Sequence, residues 1–590
     1  MLPFSQRENE GPSFFYLRRS ESVQGGEGAG GRAIGRTAFF WFLFLLRRQK
    51  RNARPAGLAE GNLPQKNTPT LNRLSIPHSL RYTSPTMHTS LRDLLNQNRT
   101  WFALMFIIIA GFFMYVYNYQ NPSALFWDEN YHIASAQKYL NHTYFMEPHP
   151  PLGKLFIALG EKLVHANAVD NQFIGTDYAQ NPPPGFSFAG YRLFPCLFAW
   201  FTAPLLFLIF LILTRRVLWA FLFDFLYLFD NALIVHSRSA MLESTMLFFA
   251  CLTILAFLLL IEWKDKNKGF LWMSVQFGMA FGCLLATKAF GLILILLVPF
   301  VAWKLWPDWK KFLKFLGVSL LTFLIFYCGI WQIHFSLGSN VNPPLPDNGY
   351  YQASAQYKTI LQKHTNTSLL NFPVMLRDSL AFVTHYEKGV PRLNLCKADE
   401  NGSPWFLWPI GARSISYRWE TPDGSAYKYL YLQSNPVIWL SAFAGVLLAL
   451  MILVSSVVLP VTQRPKNGFM LLTFGTLYVC FMIAISRIDR VMYLYHYFLP
   501  LIFSFLLLAL VFDEIQQIGR WKLTEKAKAI ILLVFAVLSF ISFEFYRPFS
   551  FYEPITDSAF KERAIFRLWD LKCVHCESND PLVIPVATNN

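Results

Sequence analysis

The chain has 590 residues, 54% of them hydrophobic and 17% aromatic, with only 15% charged. Soluble domains carry about 25% charged residues, so this composition excludes an ordinary water-soluble enzyme. The formal charge of +16 does not point to nucleic acid: half of it lies in residues 1–86, and much of the rest sits in short loops between apolar blocks, where positive charge sets membrane topology.

Residues 1–86 are rich in Gly, Arg, Ser and Pro, as in VQGGEGAGGRAIGR and NARPAGLAEGNLPQKNTP. Their one apolar run, Ala38 to Leu46, is too short to cross a bilayer. It is followed by RRQKRNAR rather than the small-residue cleavage site of a signal peptide. Met87 opens MHTSLRDLLNQNRTW, a lead-in to the first apolar block. The expectation is therefore a disordered or artefactual extension over 1–86, with the natural start at Met87.

Eleven apolar blocks of spanning length follow, at 101–117, 188–213, 217–236, 241–261, 270–287, 290–306, 312–332, 436–460, 468–485, 491–511 and 527–545. They predict an α-helical polytopic membrane domain over 87–545. With the N-terminus inside, the cytoplasmic connections hold Arg215, Arg216, Lys264, Lys310, Lys311, Arg520 and other basic residues. The short connections opposite hold only Arg238, Lys288, Arg487 and Arg490. That asymmetry obeys the positive-inside rule. It places the loops 118–187 and 333–435 and the tail 546–590 together on the extracytoplasmic side.

The first outer loop contains FWDENYHIASAQKYLNHTYFMEPHPPLGK, which sets Asp128 and Glu129 among Phe126, Trp127 and Tyr131. His149-Pro150-Pro151 then breaks the chain before LGKLFIALGEKLVHA, an amphipathic pattern suited to a helix on the membrane surface. A carboxylate held at that rim can take a proton from an incoming hydroxyl; an acidic pair is also commonly plain solvated charge. Arg192, in AGYRLFPCLF, is either a snorkelling arginine or a fork of donors for a lipid-linked phosphate. LFDNALIVHSRSAMLESTMLFF puts Asp230, His236, Arg238 and Glu243 inside or between apolar blocks, where ionisable groups are expensive and are functional candidates. Arg238 and Glu243 can also pair with each other.

Lys288 in ATKAFG, and Arg487, Arg490 and His496 in SRIDRVMYLYHYFLP, stand at outer ends of spans on the side of Asp128. Cations around one cavity point to a phosphate substrate, although the Tyr/His/Tyr cluster equally fits an interfacial aromatic belt. Neither a Walker nor a dinucleotide motif is present, so the energy of any reaction must arrive with the substrate. Cys573 and Cys576, in the tail, suit an extracytoplasmic disulfide better than a metal site, which needs further ligands.

In order along the chain, WDENYH, EPHPPLGK, GYRLFP, FDNALIVHSRSAMLEST, TKAFGL, IHFSLG and YLYHYFLP resemble the protein O-mannosyltransferase family. Its members are dolichyl- or polyprenyl-phosphate-mannose:protein mannosyltransferases of the GT-C fold. The resemblance covers roughly residues 100–510. It implies a lipid-linked sugar donor, a protein Ser/Thr acceptor and an inverting single displacement. Asp128 is then the general base and Glu129 its acidic partner, and Arg192 matches an arginine associated with activity. From charge and side, Arg192, Lys288, Arg490 and His496 are expected at the donor phosphate, with His149, Arg238 and Glu243 structural or touching substrate. Glu243 stands where many relatives have Asp. No cofactor or metal is called for, because a phosphate already leaves readily. The loop 333–435 is too short for an inserted β-trefoil MIR domain, which implies a bacterial-type enzyme of the inner membrane facing the periplasm. Trp405, Trp408, Arg413 and Trp419 in that loop are candidates for holding peptide or glycan. Two other readings stand beside this one: transfer from the same donor to lipid A or an envelope glycan, and a lipid or solute transporter. The inverted repeat typical of many transporters is missing.

Overall fold

The computed structural model describes residues 90–342, 350–397, 400–421, 426–459, 465–574 and 576; the extension expected at 1–86 lies outside them. Among the described residues, nine helices are long and apolar enough to cross a membrane: Asn98–Val116, Ala189–Thr214, Glu243–Glu262, Asn267–Leu285, Trp309–Leu337, Pro436–Val458, Gly468–Ile485, Leu494–Glu514 and Glu525–Phe551. Each coincides with an expected span.

The other two expected spans are built differently. The block 217–236 forms Val217–Leu228 and Asn231–Ser237, bent by 62°. The break is chemical. Asp230 leaves the helical conformation, accepts the Leu233 N–H at 2.9 Å as an N-cap and takes the Trp439 indole N–H at 2.7 Å. A side chain that satisfies the free donors of a new helix start ends the old one. The block 290–306 is a shorter helix, Ala289–Leu305, which begins as a 3-10 helix after Lys288, an extended residue.

Leu494–Glu514 runs through the middle of the bundle, with 94% of its apolar window buried, whereas Trp309–Leu337 has only 17% buried and faces outward. The first outer loop folds as two helices, Glu129–Leu140 and Leu152–Val164. The second of these crosses the start of Ala189–Thr214 so closely that a Cβ on Gly160 would overlap the Gly190 carbonyl, and one on Gly190 would overlap Glu161. Close backbone approach through small residues is how helices associate where lipid is the solvent. At the other end of this helix, Leu152 N–H donates to Ala286 O at 2.8 Å, so the HPPLGK turn is docked against the segment preceding Lys288.

The second outer loop carries helices Ala355–Gln362 and Phe372–Gly389, then an antiparallel hairpin of Ile415–Glu420 and Tyr427–Leu432. The second strand also pairs with Pro554–Ile555, tying the tail to the loop. Cys573 and Cys576 form a disulfide in the apolar cluster under Tyr429 and Phe560.

The Gly160–Gly190 contact leaves no room for a side chain. Gly190→Val should lower stability by about 1–3 kcal/mol through overpacking, read as a fall in Tm of the detergent-purified chain. An unchanged Tm would mean the two helices separate without cost.

Candidate active site

Glu129 and Arg192 are both fully buried. Arg192 Nε donates to Glu129 Oε2 at 3.0 Å and Nη2 to Oε1 at 2.7 Å, a two-pronged fit of fork to carboxylate. Nη1 also donates to the carbonyls of Gln120 and Pro122 at 2.8 and 2.7 Å, and Nη2 to that of Ala124 at 2.8 Å. The guanidinium also lies over the rings of Phe126 and Phe188, at 5.2 and 4.4 Å from their centres. All five of its N–H groups are thereby used, which corrects the expectation that Arg192 meets the donor phosphate: no donor remains to reach one. Glu129 is equally saturated, since it also accepts from Phe126 N–H and Ala240 N–H, each at 3.1 Å. It positions the loop and has no free lone pair for proton transfer.

Asp128 is held quite differently. It precedes the Glu129–Leu140 helix, is only partly covered, and accepts one hydrogen bond, from the Tyr495 hydroxyl to Oδ2 at 2.8 Å. Burial raises its carboxyl above the ordinary value. The Tyr495 hydrogen bond opposes that rise; Glu243 adds to it, and Lys288 and His236 work against it. Trp127, the preceding residue, sits at φ 55°, a left-handed conformation unusual for a bulky residue and typical of backbone strained at a site. Its ring packs on Tyr417, Tyr493 and Tyr495, and its buried indole N–H finds no acceptor.

Behind Tyr495 stands a second charged group. Glu243 is ion-paired with Lys288, and its Oε2 is 2.7 Å from His236 Nε2, while His236 Nδ1 is 2.6 Å from the Tyr417 hydroxyl. His236 stacks on Tyr495 at 4.9 Å, and the Lys288 ammonium lies 5.4 Å from the centre of the Tyr495 ring. His496 Nδ1 is engaged with the Tyr493 backbone, and its ring stacks on Tyr495 and Trp408. Arg490 Nε lies 2.8 Å from Glu387. His149 completes the group. Burial pushes its imidazole far below the ordinary value, and the charges of Lys288, Lys154 and Arg490 push the same way. His132, facing Ala240, is pushed down to about 3, chiefly by burial and then by Lys154.

The structure thus groups Asp128, His149 and His496 around the charge of Lys288, with Arg490 acting on both histidines, and engages Arg192 and Arg238 elsewhere. Arg238 does not pair with Glu243. Its donors close on the carbonyls of Met114, Tyr117 and Asn118 at 2.7–3.0 Å, fastening the end of the first membrane helix. Trp408 is buried, with its N–H on Ser403, so it is not an open platform for peptide or glycan. Tyr495 and His236 lay within motifs singled out from sequence, but their contacts with Asp128 and Glu243 were not foreseen. Tyr417 was missed outright: it lies on a hairpin strand remote in sequence, and nothing in ISYRWE marks it.

Residues 105–338 match the family profile of dolichyl-phosphate-mannose-protein mannosyltransferase, and residues 381–569 match that of the C-terminal four-transmembrane region of protein O-mannosyltransferase. Among curated relatives, the chain is 28% identical over 270 residues to dolichyl-phosphate-mannose--protein mannosyltransferase 1 of Candida albicans, covering 44% of this chain and 30% of that protein. It is 33% identical over 172 residues to protein O-mannosyl-transferase 1 of Danio rerio, covering 29% of this chain and 23% of that protein. The match therefore spans a third or less of these relatives' length. The fold is that of the Saccharomyces cerevisiae protein O-mannosyltransferase complex solved with its sugar donor, at a TM-score of 0.68 and 14% identity, over 82% of this chain and 93% of the other.

Removing one partner of a buried, hydrogen-bonded ion pair costs about 3–5 kcal/mol. Arg192→Lys, which keeps the charge but loses the fork, should therefore lower Tm and folded yield. A variant with native Tm and only a raised KM for a lipid-phosphate donor would return Arg192 to the substrate.

Proposed function

The chain belongs to the dolichyl-phosphate-mannose-protein mannosyltransferase family, and on that premise we propose that it moves a mannosyl group from a polyprenyl-phosphate carrier to Ser or Thr hydroxyls of proteins. The support in this chain is one contrast. The Asp128 carboxyl has a single hydrogen-bond partner and a raised pKa, near the cations Lys288 and Arg490.

The acceptor hydroxyl oxygen attacks C1 of the sugar while its proton passes to Asp128. The C1–O bond to phosphate breaks with inversion, and the carrier leaves as a phosphate monoester with one more negative charge than it had in the diester. Lys288 and Arg490, each held by a carboxylate, stabilise that growing charge without having to reorganise. The Nε2 of His496 is the ring nitrogen not held by Tyr493, and it offers a further contact to the phosphate. Glu129 and Arg192 act as positioning residues for Asp128. The basic cytoplasmic connections support a site opening to the extracytoplasmic face, and the short second loop supports a bacterial-type enzyme without a MIR insertion.

Membranes holding the full chain, given polyprenyl-phosphate-mannose and a Ser/Thr-rich peptide, test the proposal. Wild type should label the peptide, and Asp128→Asn at equal expression should lose about 10²–10⁴-fold in rate, the scale of general-base catalysis. A folded wild type that labels only lipid or glycan would overturn the protein acceptor.

The pH dependence is a second test. The base works deprotonated, and burial raises its pKa, so the rate should fall with acidity at a pH above the usual carboxylate range. The Tyr495 hydroxyl favours the charged carboxylate. Tyr495→Phe should therefore move this acid limb to higher pH; a shift to lower pH would contradict the assignment of Asp128.

A further inference from the structure

Two adjacent leucines, Leu369 and Leu370, are 74% and 91% exposed. They form the tip of a short loop pinned at both feet to one turn of the Trp309–Leu337 helix. At one foot, Asn366 is buried and its Nδ2 donates to Phe335 O at 2.7 Å, while Gln332 Nε2 donates to Asn366 O at 3.1 Å. At the other, the Phe372 ring lies 5.9 Å from that of Phe335. Asn371 Nδ2 closes the loop onto Thr365 O at 2.9 Å.

The height of that turn follows from helix geometry. Trp306 and Trp309, both exposed, fit an interfacial aromatic belt, at the rim that the basic connections assign to the cytoplasm. From Trp309 to Phe335 the helix rises about 39 Å at 1.5 Å per residue. The hydrocarbon core is about 30 Å thick, so with ordinary tilt Phe335 stands at the opposite rim. The exposed apolar side of this helix, through Leu321, Leu324, Ile325 and Ile333, leads up to the loop. Lys363, His364 and Arg377, near the loop in sequence on either side of it, are exposed.

We propose that Leu369 and Leu370 insert into the leaflet on the active-site side and anchor the second outer loop to the bilayer. The occupant of this surface is lipid: the patch continues a lipid-facing helix, and its basic flank suits anionic headgroups. The anchored segment leads directly into the Phe372–Gly389 helix, whose far end carries Glu387 against Arg490. The membrane surface thereby sets the position of the carboxylate that holds Arg490. Nothing in this inference depends on which sugar or acceptor is used.

The test uses the full chain in lipid nanodiscs, with Leu370→Cys carrying an environment-sensitive fluorophore in a Cys396→Ser background, because Cys396 is the exposed free cysteine among the described residues. The Cys396→Ser parent, treated alike, supplies the background. Insertion at the depth of the headgroup–acyl boundary predicts blue-shifted emission that falls by about half when the lipids are brominated near the top of their chains, and resistance to aqueous iodide. Quenching by iodide and not by brominated lipid would place the loop in water and overturn the proposal. Protection from both quenchers would show a protein contact, a second copy included, and overturn it equally.

Discussion

The site depends on one buried ion pair. Burying the Glu129 carboxylate and the Arg192 guanidinium costs several kcal/mol for each ion even after relaxation. Such a pair persists only when its geometry is good and its remaining lone pairs and protons are met. Both conditions hold: Glu129 takes two bonds from Arg192 and one each from Phe126 and Ala240, and Arg192 spends its other donors on three carbonyls. These contacts join the irregular segment 120–126, the second membrane helix and the turn before Glu243. At a membrane rim, irregular backbone with unmet carbonyls is costly. Arg192 meets those of Gln120, Pro122 and Ala124, and Arg238 those of Met114, Tyr117 and Asn118. The two arginines are the reason this stretch can leave helical geometry and turn Asp128 toward Tyr495.

Two carboxylates adjacent in sequence thereby acquire opposite properties, set by environment rather than by residue type. Glu129 is enclosed and saturated. Asp128 has one neutral donor and no direct cation. Had Arg192 faced the neighbouring position, the pair would have tied up Asp128 and left Glu129 to find other partners.

Much of the architecture was legible because membrane spans are written in composition: long apolar blocks coincide with nine helices among the described residues. The Asp230 break was visible only as an anomaly in an apolar run, since its partner Trp439 lies on a remote helix. Asp128, Lys288, Arg490 and His496 were recognisable as charge stranded at span ends on one side. What sequence could not assign was pairing. Arg192 and Arg238 read as possible phosphate or carboxylate partners because a guanidinium advertises its charge, whereas their actual acceptors are mostly backbone carbonyls, which every residue carries. Tyr417 had no signal either: its importance comes from a hairpin fold that brings it to His236.

The pairing of Lys288 and Arg490 bears directly on the chemistry proposed. Lys288 is tied to Glu243 and Arg490 lies against Glu387, so neither is free to collapse onto Asp128. A cation in direct contact with Asp128 would favour its charged form and lower its pKa, weakening it as a base toward a hydroxyl. Anchoring each cation on another carboxylate avoids that while keeping its charge close to the group. The phosphodiester of a lipid-linked sugar carries one negative charge, and the second appears only as the C1–O bond breaks. On the proposed reading, pairing with Glu243 and Glu387 would weaken the hold of these cations on the singly charged diester, while their fixed charge would still attract the second charge as it appears in the transition state.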